Sequence, residues 1–146
     1  MGVTISLSGL KGRIIVLDFW ATWCAPCINS FPAMKKVMSE FEKANVIFLF
    51  IDTLESETNN SKQETEINAK ILKVLRAKDV TDFIVLKDEV IENLSNTTSN
   101  YKVSAIPAKI IIDKLGYIRY TSVGYSSDEN LIKEISTVIR ILNLED

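Results

Sequence analysis

The chain has 146 residues, of which 47% are hydrophobic, and a formal net charge of −2. That length and apolar content suffice for one domain with a hydrophobic core, so we expect residues 1–146 to form a single domain. The slightly acidic balance offers no basic surface for nucleic acid. The longest apolar runs, such as residues 46–51, are far shorter than the roughly 20 residues of a membrane span, and none is expected in this chain.

The first third of the chain alternates between apolar runs and an amphipathic segment. Residues 14–19 are almost entirely apolar, which predicts a strand buried on both faces. A helix is predicted from Cys24 because apolar residues recur at three- and four-residue steps, and Pro32 should kink it by removing a backbone donor. Residues 46–51 predict a second buried strand that ends at Asp52.

The middle of the chain is more polar. Residues 55–65 predict a surface loop. Residues 83–86 predict a short strand and residues 90–94 a short helix. Between the loop and the strand, one face of a predicted helix is formed by Ile67, Ile71, Leu72, Val74 and Leu75.

The C-terminal part predicts a hairpin followed by a helix. Residues 109–113 and 117–123 are its two strands, with a turn at residues 114–116. Ser126 and Glu129 have the spacing of a capping box, which predicts the start of the last helix. The order of predicted strands and helices along the chain predicts an α/β fold.

The two cysteines, Cys24 and Cys27, stand where the first predicted strand gives way to a helix. A C-x-x-C pair at such a junction is typical of a redox dithiol, because the short loop keeps the sulfurs close enough to bridge. The free N–H groups and positive end of the helix favour a thiolate at Cys24. We therefore predict Cys24 as the exposed, attacking sulfur and Cys27 as the buried, resolving one.

Three structural alternatives compete with the redox interpretation. A structural disulfide would normally join distant segments, because a two-residue loop constrains the unfolded chain little. A zinc site needs about four Cys or His ligands, and the chain has two cysteines and no histidine. Two core cysteines could also fall here by chance, but Pro26 and the flanking tryptophans argue against it. The redox interpretation is favoured.

The segment Asp18-Phe19-Trp20-Ala21-Thr22-Trp23-Cys24-Ala25-Pro26-Cys27 resembles the active-site segment of thioredoxins. The sequences Leu10-Lys11-Gly12-Arg13 and Ile106-Pro107 make the chain similar to the thiol-disulfide oxidoreductases of the bacterial envelope, the TlpA/ResA type. The resemblance runs from about Ser6 to the terminal helix. It implies a thioredoxin-like fold with a central mixed sheet flanked by helices, dithiol–disulfide exchange with protein partners, and no cofactor or metal. Residues 53–100 would be an insertion between the second core strand and the proline-containing strand.

The resemblance also implies roles around the dithiol. Trp23 would pack beside Cys24 as a flat apolar platform, or be an ordinary half-buried aromatic. Pro107 falls where the family has a cis-proline, which turns the backbone of Ile106 toward the sulfurs so that a partner peptide can add as a strand. A trans proline starting a strand is the alternative. The expected substrate-binding residues are Trp23, Ala25, Pro26, Ile106 and Pro107.

Asp18 is an acidic residue at the end of a predicted buried strand. Burying its charge costs free energy unless the carboxylate is paired or has a function. By resemblance to thioredoxins it would lie beneath the dithiol and take the proton of Cys27, and burial should raise its pKa. Envelope relatives more often carry a glutamate where this chain has Ser30. The lysine that thioredoxins place nearby corresponds to Phe48, which leaves the charge of Asp18 less compensated than in thioredoxins. An aspartate that caps backbone groups is the alternative.

The C-x-x-C pair encloses a proline and no cationic residue, so a reductant of partner disulfides is favoured over an oxidant. The implied partners are disulfide-bearing proteins and an upstream thiol electron donor, and a monomer is expected. The first residues lack the pattern of a secretory signal. We expect a domain cut from a longer exported protein of the periplasm or cell envelope; a complete cytosolic protein is the alternative.

Two other functional classes stay open at this point. One is a thiol peroxidase on the same fold, although Trp23 precedes Cys24 and no arginine lies between Arg13 and Arg76. The other is a copper-binding module, which in proteins of this fold usually adds a histidine to the two cysteines.

Overall fold

A computed structural model of the chain describes residues 7–55, 61–88, 90–91, 94–95 and 101–145. After a 3₁₀ turn at Leu7–Leu10, the elements in chain order are β1 (Ile14–Trp20), α1 (Ala25–Asn29), α2 (Phe31–Glu40), β2 (Val46–Asp52), α3 (Ser61–Ala77), β3 (Ile84–Lys87), β4 (Val90–Ile91), β5 (Leu94–Ser95), β6 (Ala108–Ile112), β7 (Ile118–Val123) and α4 (Asp128–Leu144).

The central sheet has five strands in the order β3-β2-β1-β6-β7. The β1–β2 and β2–β3 pairs are parallel, whereas β1–β6 and β6–β7 are antiparallel, so the sheet is mixed. β1 lies in the middle and is buried along its whole length, which explains why its sequence is an apolar run rather than an alternation. The predicted α/β fold with a central mixed sheet is confirmed.

Side chains alternate between the two faces of β1. Val16 and Trp20 belong to a large apolar cluster to which all four helices α1–α4 contribute. Ile15, Leu17 and Phe19 belong to a second cluster on the other face. The dithiol segment follows β1 and lies in the helix-covered cluster, because that cluster includes both cysteines.

The predicted helix after Cys24 is divided in two. Ser30 ends α1, and its hydroxyl donates to the Cys27 carbonyl oxygen at 2.7 Å. α2 then begins at Phe31, with Pro32 in its first turn, where a missing N–H is tolerated. Pro32 therefore does more than kink the helix: it marks the start of a new one.

The prediction of a short helix at residues 90–94 is wrong. β4 and β5 form an antiparallel pair there, with Val90 opposite Ser95. Short apolar runs fit a strand as well as a helix, so their spacing cannot decide between them. The loop predicted at residues 55–65 is also too long, because α3 begins at Ser61.

The predicted hairpin is confirmed as β6 and β7, and in its turn the Asp113 carboxylate accepts hydrogen bonds from the N–H groups of Leu115 and Tyr117. The predicted cap of the last helix is off by one residue. Ser127, not Ser126, is the N-cap, and its hydroxyl oxygen accepts from the Asn130 N–H.

The segment of residues 53–100, which the resemblance predicts to be an insertion, holds α3, β3 and the β4–β5 pair in its described part. Residues 56–60, 89, 92–93 and 96–100 lie outside the described residues, as do residues 1–6, on which the expectation about a secretory signal rests. No helix in the described ranges is long and apolar enough to cross a membrane.

Candidate active site

Cys24 and Cys27 are joined by a disulfide whose Cα atoms lie 5.3 Å apart. β1 ends at Trp20, and a short loop brings Cys24 to the N-cap position of α1. Cys24 is 4% exposed and Cys27 is fully buried. The expected order of exposure is therefore present, but in this oxidised form even Cys24 is barely accessible.

The Cys24 sulfur is held by the first turn of α1. Sγ of Cys24 accepts a hydrogen bond from the Cys27 N–H at 3.3 Å. The sulfur is here part of the disulfide; in the reduced chain a thiolate would stand in its place and accept the same bond. Since α1 has only five residues, this direct donor favours a thiolate more than the dipole of so short a helix does.

The active-site loop is tied to the segment that follows β2. The Thr22 N–H and hydroxyl donate to the two carboxylate oxygens of Glu55, at 2.5 and 2.9 Å. The Trp23 indole N–H donates to the Leu54 carbonyl oxygen at 2.9 Å. Trp23 is 60% exposed, so it is an open apolar surface beside Cys24 rather than a half-buried core residue.

Glu55 was missed by sequence reasoning, which placed it in a surface loop. It also lies next to Asp52, the last residue of β2. Burial, followed by the hydrogen bond and the charge of Glu55, raises the pKa of Asp52. The carboxylate of Glu55 therefore does two things: it caps the loop that carries Trp23, and it adds to the effect of burial in raising the pKa of Asp52.

The Ile106–Pro107 peptide is cis, as the resemblance implies. The Pro107 carbonyl oxygen accepts a hydrogen bond from the Gly124 N–H at 2.7 Å. Ile106 is half-buried and packs against the cluster that contains both cysteines. Within the described ranges, no other backbone group is hydrogen-bonded to the N–H or C=O of Ile106.

Asp18 is buried in β1, and the loss of hydration raises its pKa to about 6. The prediction that the charge of Asp18 is less compensated than in thioredoxins is wrong. Lys109 Nζ lies 3.7 Å from Asp18 Oδ2, and the two side chains are 3% and 2% exposed. The cation comes from β6, where Lys109 is directly opposite Asp18 across the β1–β6 pair, whereas Phe48 is part of the apolar core.

The alternative in which Asp18 caps backbone groups does not hold, because its carboxylate oxygens accept no hydrogen bond in the described part of the chain. Lys109 was missed because it was interpreted only as a strand residue. The available signal was a lysine two residues after Pro107 in the otherwise apolar run AKIII. A cation in a strand buried on both faces calls for an acidic partner.

Ser30, where envelope relatives carry a glutamate, is fully buried and supports α1 through its hydroxyl. Ala25 and Pro26 are exposed at the start of α1, next to Trp23. In the described residues, no group of three or more His, Cys, Asp or Glu side chains is placed to hold a metal ion.

A C-x-x-C disulfide at the start of a helix that follows the central strand, in a sheet with a cis-proline before β6, defines a thioredoxin-like dithiol protein. The model of the AhpC/TSA family matches residues 1–121, and the chain belongs to that family.

Two curated relatives from Bacillus are similar over most of the chain. The thioredoxin-like protein YneN of Bacillus subtilis is 29% identical over 92% of this chain and 70% of its own length. The thiol-disulfide oxidoreductase ResA of Bacillus cereus is 27% identical over 89% of this chain and 66% of its own length. The chain thus spans about two thirds of the length of these relatives. They confirm the predicted class, the thioredoxin-like thiol-disulfide oxidoreductases.

The fold is shared with solved structures of low sequence identity. A thiol-disulfide isomerase from Corynebacterium glutamicum superposes with a TM-score of 0.75 at 20% identity, covering 99% of this chain and 90% of its own. The alignment covers nearly the whole chain, so this similarity supports the fold.

Proposed function

We propose that the reduced chain reduces disulfide bonds of partner proteins, with Cys24 as the attacking sulfur and Cys27 as the resolving one. The observation that carries the proposal is the Cys24–Cys27 disulfide at the start of α1, formed by the two cysteines of the sequence. A loop this short adds little to stability, so the bond can open and close without unfolding the domain. The names of the Bacillus relatives support the same chemistry.

The reaction has two exchange steps. In the first, the Cys24 thiolate attacks one sulfur of the partner disulfide, and the other partner sulfur leaves as a thiolate. In the second, the Asp18 carboxylate takes the proton of the Cys27 thiol, and the Cys27 thiolate attacks Sγ of Cys24. The bond between Cys24 and the partner breaks, and the second partner sulfur also leaves as a thiolate. The two partner thiolates take protons from solvent, and the chain is left with the disulfide seen in the structure and a protonated Asp18, which then loses its proton to solvent.

The groups around the dithiol fit the role of a platform for an extended peptide. Trp23, Ala25 and Pro26 are exposed on one side of Cys24. The backbone of Ile106 has unused hydrogen-bonding capacity within the described ranges, which suits a partner strand that pairs with it. The same surface would accept the upstream thiol protein that returns electrons to the chain. We place this exchange in the bacterial cell envelope, on the resemblance to the TlpA/ResA type, and the chain acts as a monomer.

The proposal is tested by insulin reduction with a small dithiol as electron source. The wild-type chain should accelerate precipitation of the insulin B chain, and Cys24→Ser should abolish the acceleration. Cys27→Ser should accumulate a mixed disulfide with insulin, visible as a mass shift on a non-reducing gel. The double variant Cys24→Ser/Cys27→Ser, which lacks both thiols, is the negative control.

Undiminished insulin reduction by Cys24→Ser would contradict the assignment of Cys24 as the attacking sulfur. Rapid turnover of hydrogen peroxide with no effect on insulin would place the chain among thiol peroxidases instead. Stoichiometric Cu(I) binding by the reduced chain, without insulin reduction, would favour the copper-binding module.

A further inference from the structure

A cavity between β7 and α4 opens at the same edge of the sheet as the dithiol. β1 and β7 each run antiparallel to β6, so the carboxyl ends of β1 and β7 lie at one edge. Cys24 follows the end of β1, and Gly124, which is part of the cavity wall, follows the end of β7. The two strands are separated by β6 alone, which places their ends about 10 Å apart.

The loop with the cis-proline lies between the dithiol and this cavity, because it leads into β6. The Pro107 carbonyl oxygen accepts a hydrogen bond from the Gly124 N–H at 2.7 Å, which fixes the cavity wall to that loop. An extended chain advances about 3.3 Å per residue, so it spans about 10 Å in three residues. A partner chain that crosses the loop from Cys24 therefore brings a residue about three positions from its own cysteine over the cavity.

The size and shape of the cavity suit one long side chain. Its volume is about 260 Å³. Its wall follows α4 from Ser127 to Glu134, which is about 10 Å at 1.5 Å per residue. The cavity is open to solvent, because Ser126 and Asn130 in its lining are exposed. A side chain that enters beside these two residues must be long to reach Glu134.

The wall offers hydrogen-bond acceptors more than donors. The Tyr120 hydroxyl donates to Glu134 Oε2 at 2.7 Å, so this donor is already used. The Asn130 side-chain amide donates to the Ser126 hydroxyl oxygen at 3.2 Å. A carboxylate accepts several bonds, so Glu134 has capacity beyond the one from Tyr120. A ligand rich in N–H donors fits such a wall.

The charge of the cavity is negative. Glu134 is the acidic residue of its wall, and Asp128 lies next to the wall as the hydrogen-bond partner of Tyr125. Among the described lining residues Lys109 is the one cation, but its Nζ is buried and lies 3.7 Å from Asp18 Oδ2. That ammonium group is therefore balanced by its own counter-charge, and the cavity favours a cation.

We propose that the cavity between β7 and α4 is a specificity pocket that takes a lysine or arginine side chain of the partner protein, about three residues from the cysteine that Cys24 attacks. Glu134 supplies the counter-charge. The inference rests on the proposed function and names its substrate class: disulfide-bearing proteins with a basic residue close to the disulfide along the chain. Long basic side chains combine the length, the N–H donors and the charge that the cavity calls for.

The test is stopped-flow kinetics of the first exchange step, with the reduced full chain and symmetric peptide dimers joined by one disulfide. The peptides differ only in carrying Arg, Gln or Glu three positions before the cysteine, and a second series varies the position three residues after it. In one series the Arg peptide should react about fivefold faster than the Gln peptide, the effect of about 1 kcal/mol from one partly exposed ion pair. The Glu peptide should be the slowest of the three.

Glu134→Gln should reduce this preference for Arg over Gln to less than twofold. Glu129→Gln is the matched control, since Glu129 is exposed on α4 and is not part of the cavity wall, and it should keep the fivefold preference. An equal loss of preference in both variants would mean that the overall charge of the chain selects the peptide, which overturns the inference.

The failure of this inference differs from the failure of the proposed function. If all peptides are reduced through Cys24 but Arg, Gln and Glu peptides react at one rate in both series, the inference is overturned and the proposed function stands. If no peptide is reduced in a way that Cys24→Ser abolishes, the proposed function fails and the inference falls with it.

A readout without turnover covers the case in which Glu134→Gln folds poorly. Cys27→Ser retains each peptide on Cys24 as a mixed disulfide, and the amide signals of Ser122 and Asn130 in the cavity wall can then be compared by ¹⁵N NMR. These signals should differ between the Arg and Gln peptides of the preferred series. Identical signals would contradict binding in the cavity.

Discussion

At the scale of single residues, the Asp18–Lys109 pair decides how substitutions at either position behave. An Asp18 without compensation would make Asp18→Asn stabilising, because the variant loses a buried charge. The pair reduces that gain, because Lys109 Nζ is buried 3.7 Å from Asp18 and Asp18→Asn leaves this cation without a counter-charge. Burial still outweighs the attraction to Lys109, since the pKa of Asp18 stays raised, to about 6. Breaking a buried pair by removing one partner costs about 3–5 kcal/mol, whereas replacing both partners by apolar residues is often neutral or stabilising.

We therefore expect Lys109→Met to lower the free energy of unfolding by about 3 kcal/mol at pH 7, Asp18→Asn to leave it unchanged or raise it, and Asp18→Leu/Lys109→Met to recover all or most of the loss seen in Lys109→Met. Urea unfolding of the oxidised chain, followed by circular dichroism, measures all three. Lys133→Met on the exposed side of α4 is the control for losing a lysine. If the double variant is as unstable as the sum of the singles, the two charges do not interact.

At the scale of elements, the loop after β1 and the segment after β2 hold each other in place. Parallel pairing of β1 with β2 brings their carboxyl ends together, with Trp20 opposite Asp52. The next residues of both strands then lie within reach, and Glu55 accepts two hydrogen bonds from Thr22. The position of Trp23 beside the dithiol thus depends on a residue that follows a different strand.

Glu55→Gln should lower the free energy of unfolding of the oxidised chain by about 1–3 kcal/mol, because it weakens two hydrogen bonds to a carboxylate. It should also slow insulin reduction, since Trp23 and the Cys24 loop lose their support. Glu66→Gln, exposed on α3, is the matched control. Equal stability of the two variants would show that Glu55 does not hold the loop.

At the scale of the whole molecule, the buried acid makes stability depend on pH. Burial raises the pKa of Asp18 from 3.8 to about 6 in the folded chain. Between these values the folded chain binds the proton more tightly than the unfolded chain, so ionisation of Asp18 lowers stability as pH rises from about 4 to about 6. Outside this pH range, Asp18 adds no pH dependence to the free energy of unfolding.

The free energy of unfolding of the wild type minus that of Asp18→Asn should therefore fall by about 2 kcal/mol between pH 4 and pH 7, given 1.36 kcal/mol per pKa unit. Urea titrations of both chains at steps of half a pH unit measure the difference, in which the other titrating groups largely cancel. A difference that stays flat across this range would mean that the pKa of Asp18 is not raised.

The features that the sequence determined are those whose residues lie close together along the chain. The apolar run of β1, the hairpin of β6 and β7 and the C-x-x-C disulfide each follow from neighbouring residues, because backbone periodicity and a short loop act locally. Where a short segment fits two structures, as at β4 and β5, local spacing could not choose between them.

The tertiary structure decided which distant residues share a space. Lys109 meets Asp18 because the antiparallel β1–β6 register places them opposite one another, and Glu55 meets Thr22 because β1 and β2 run parallel side by side. A register is set by the packing of the entire sheet, and a shift by one residue would turn every side chain to the other face. The dithiol could thus be identified from a local motif, whereas the charges and hydrogen bonds that surround it follow from how the strands align.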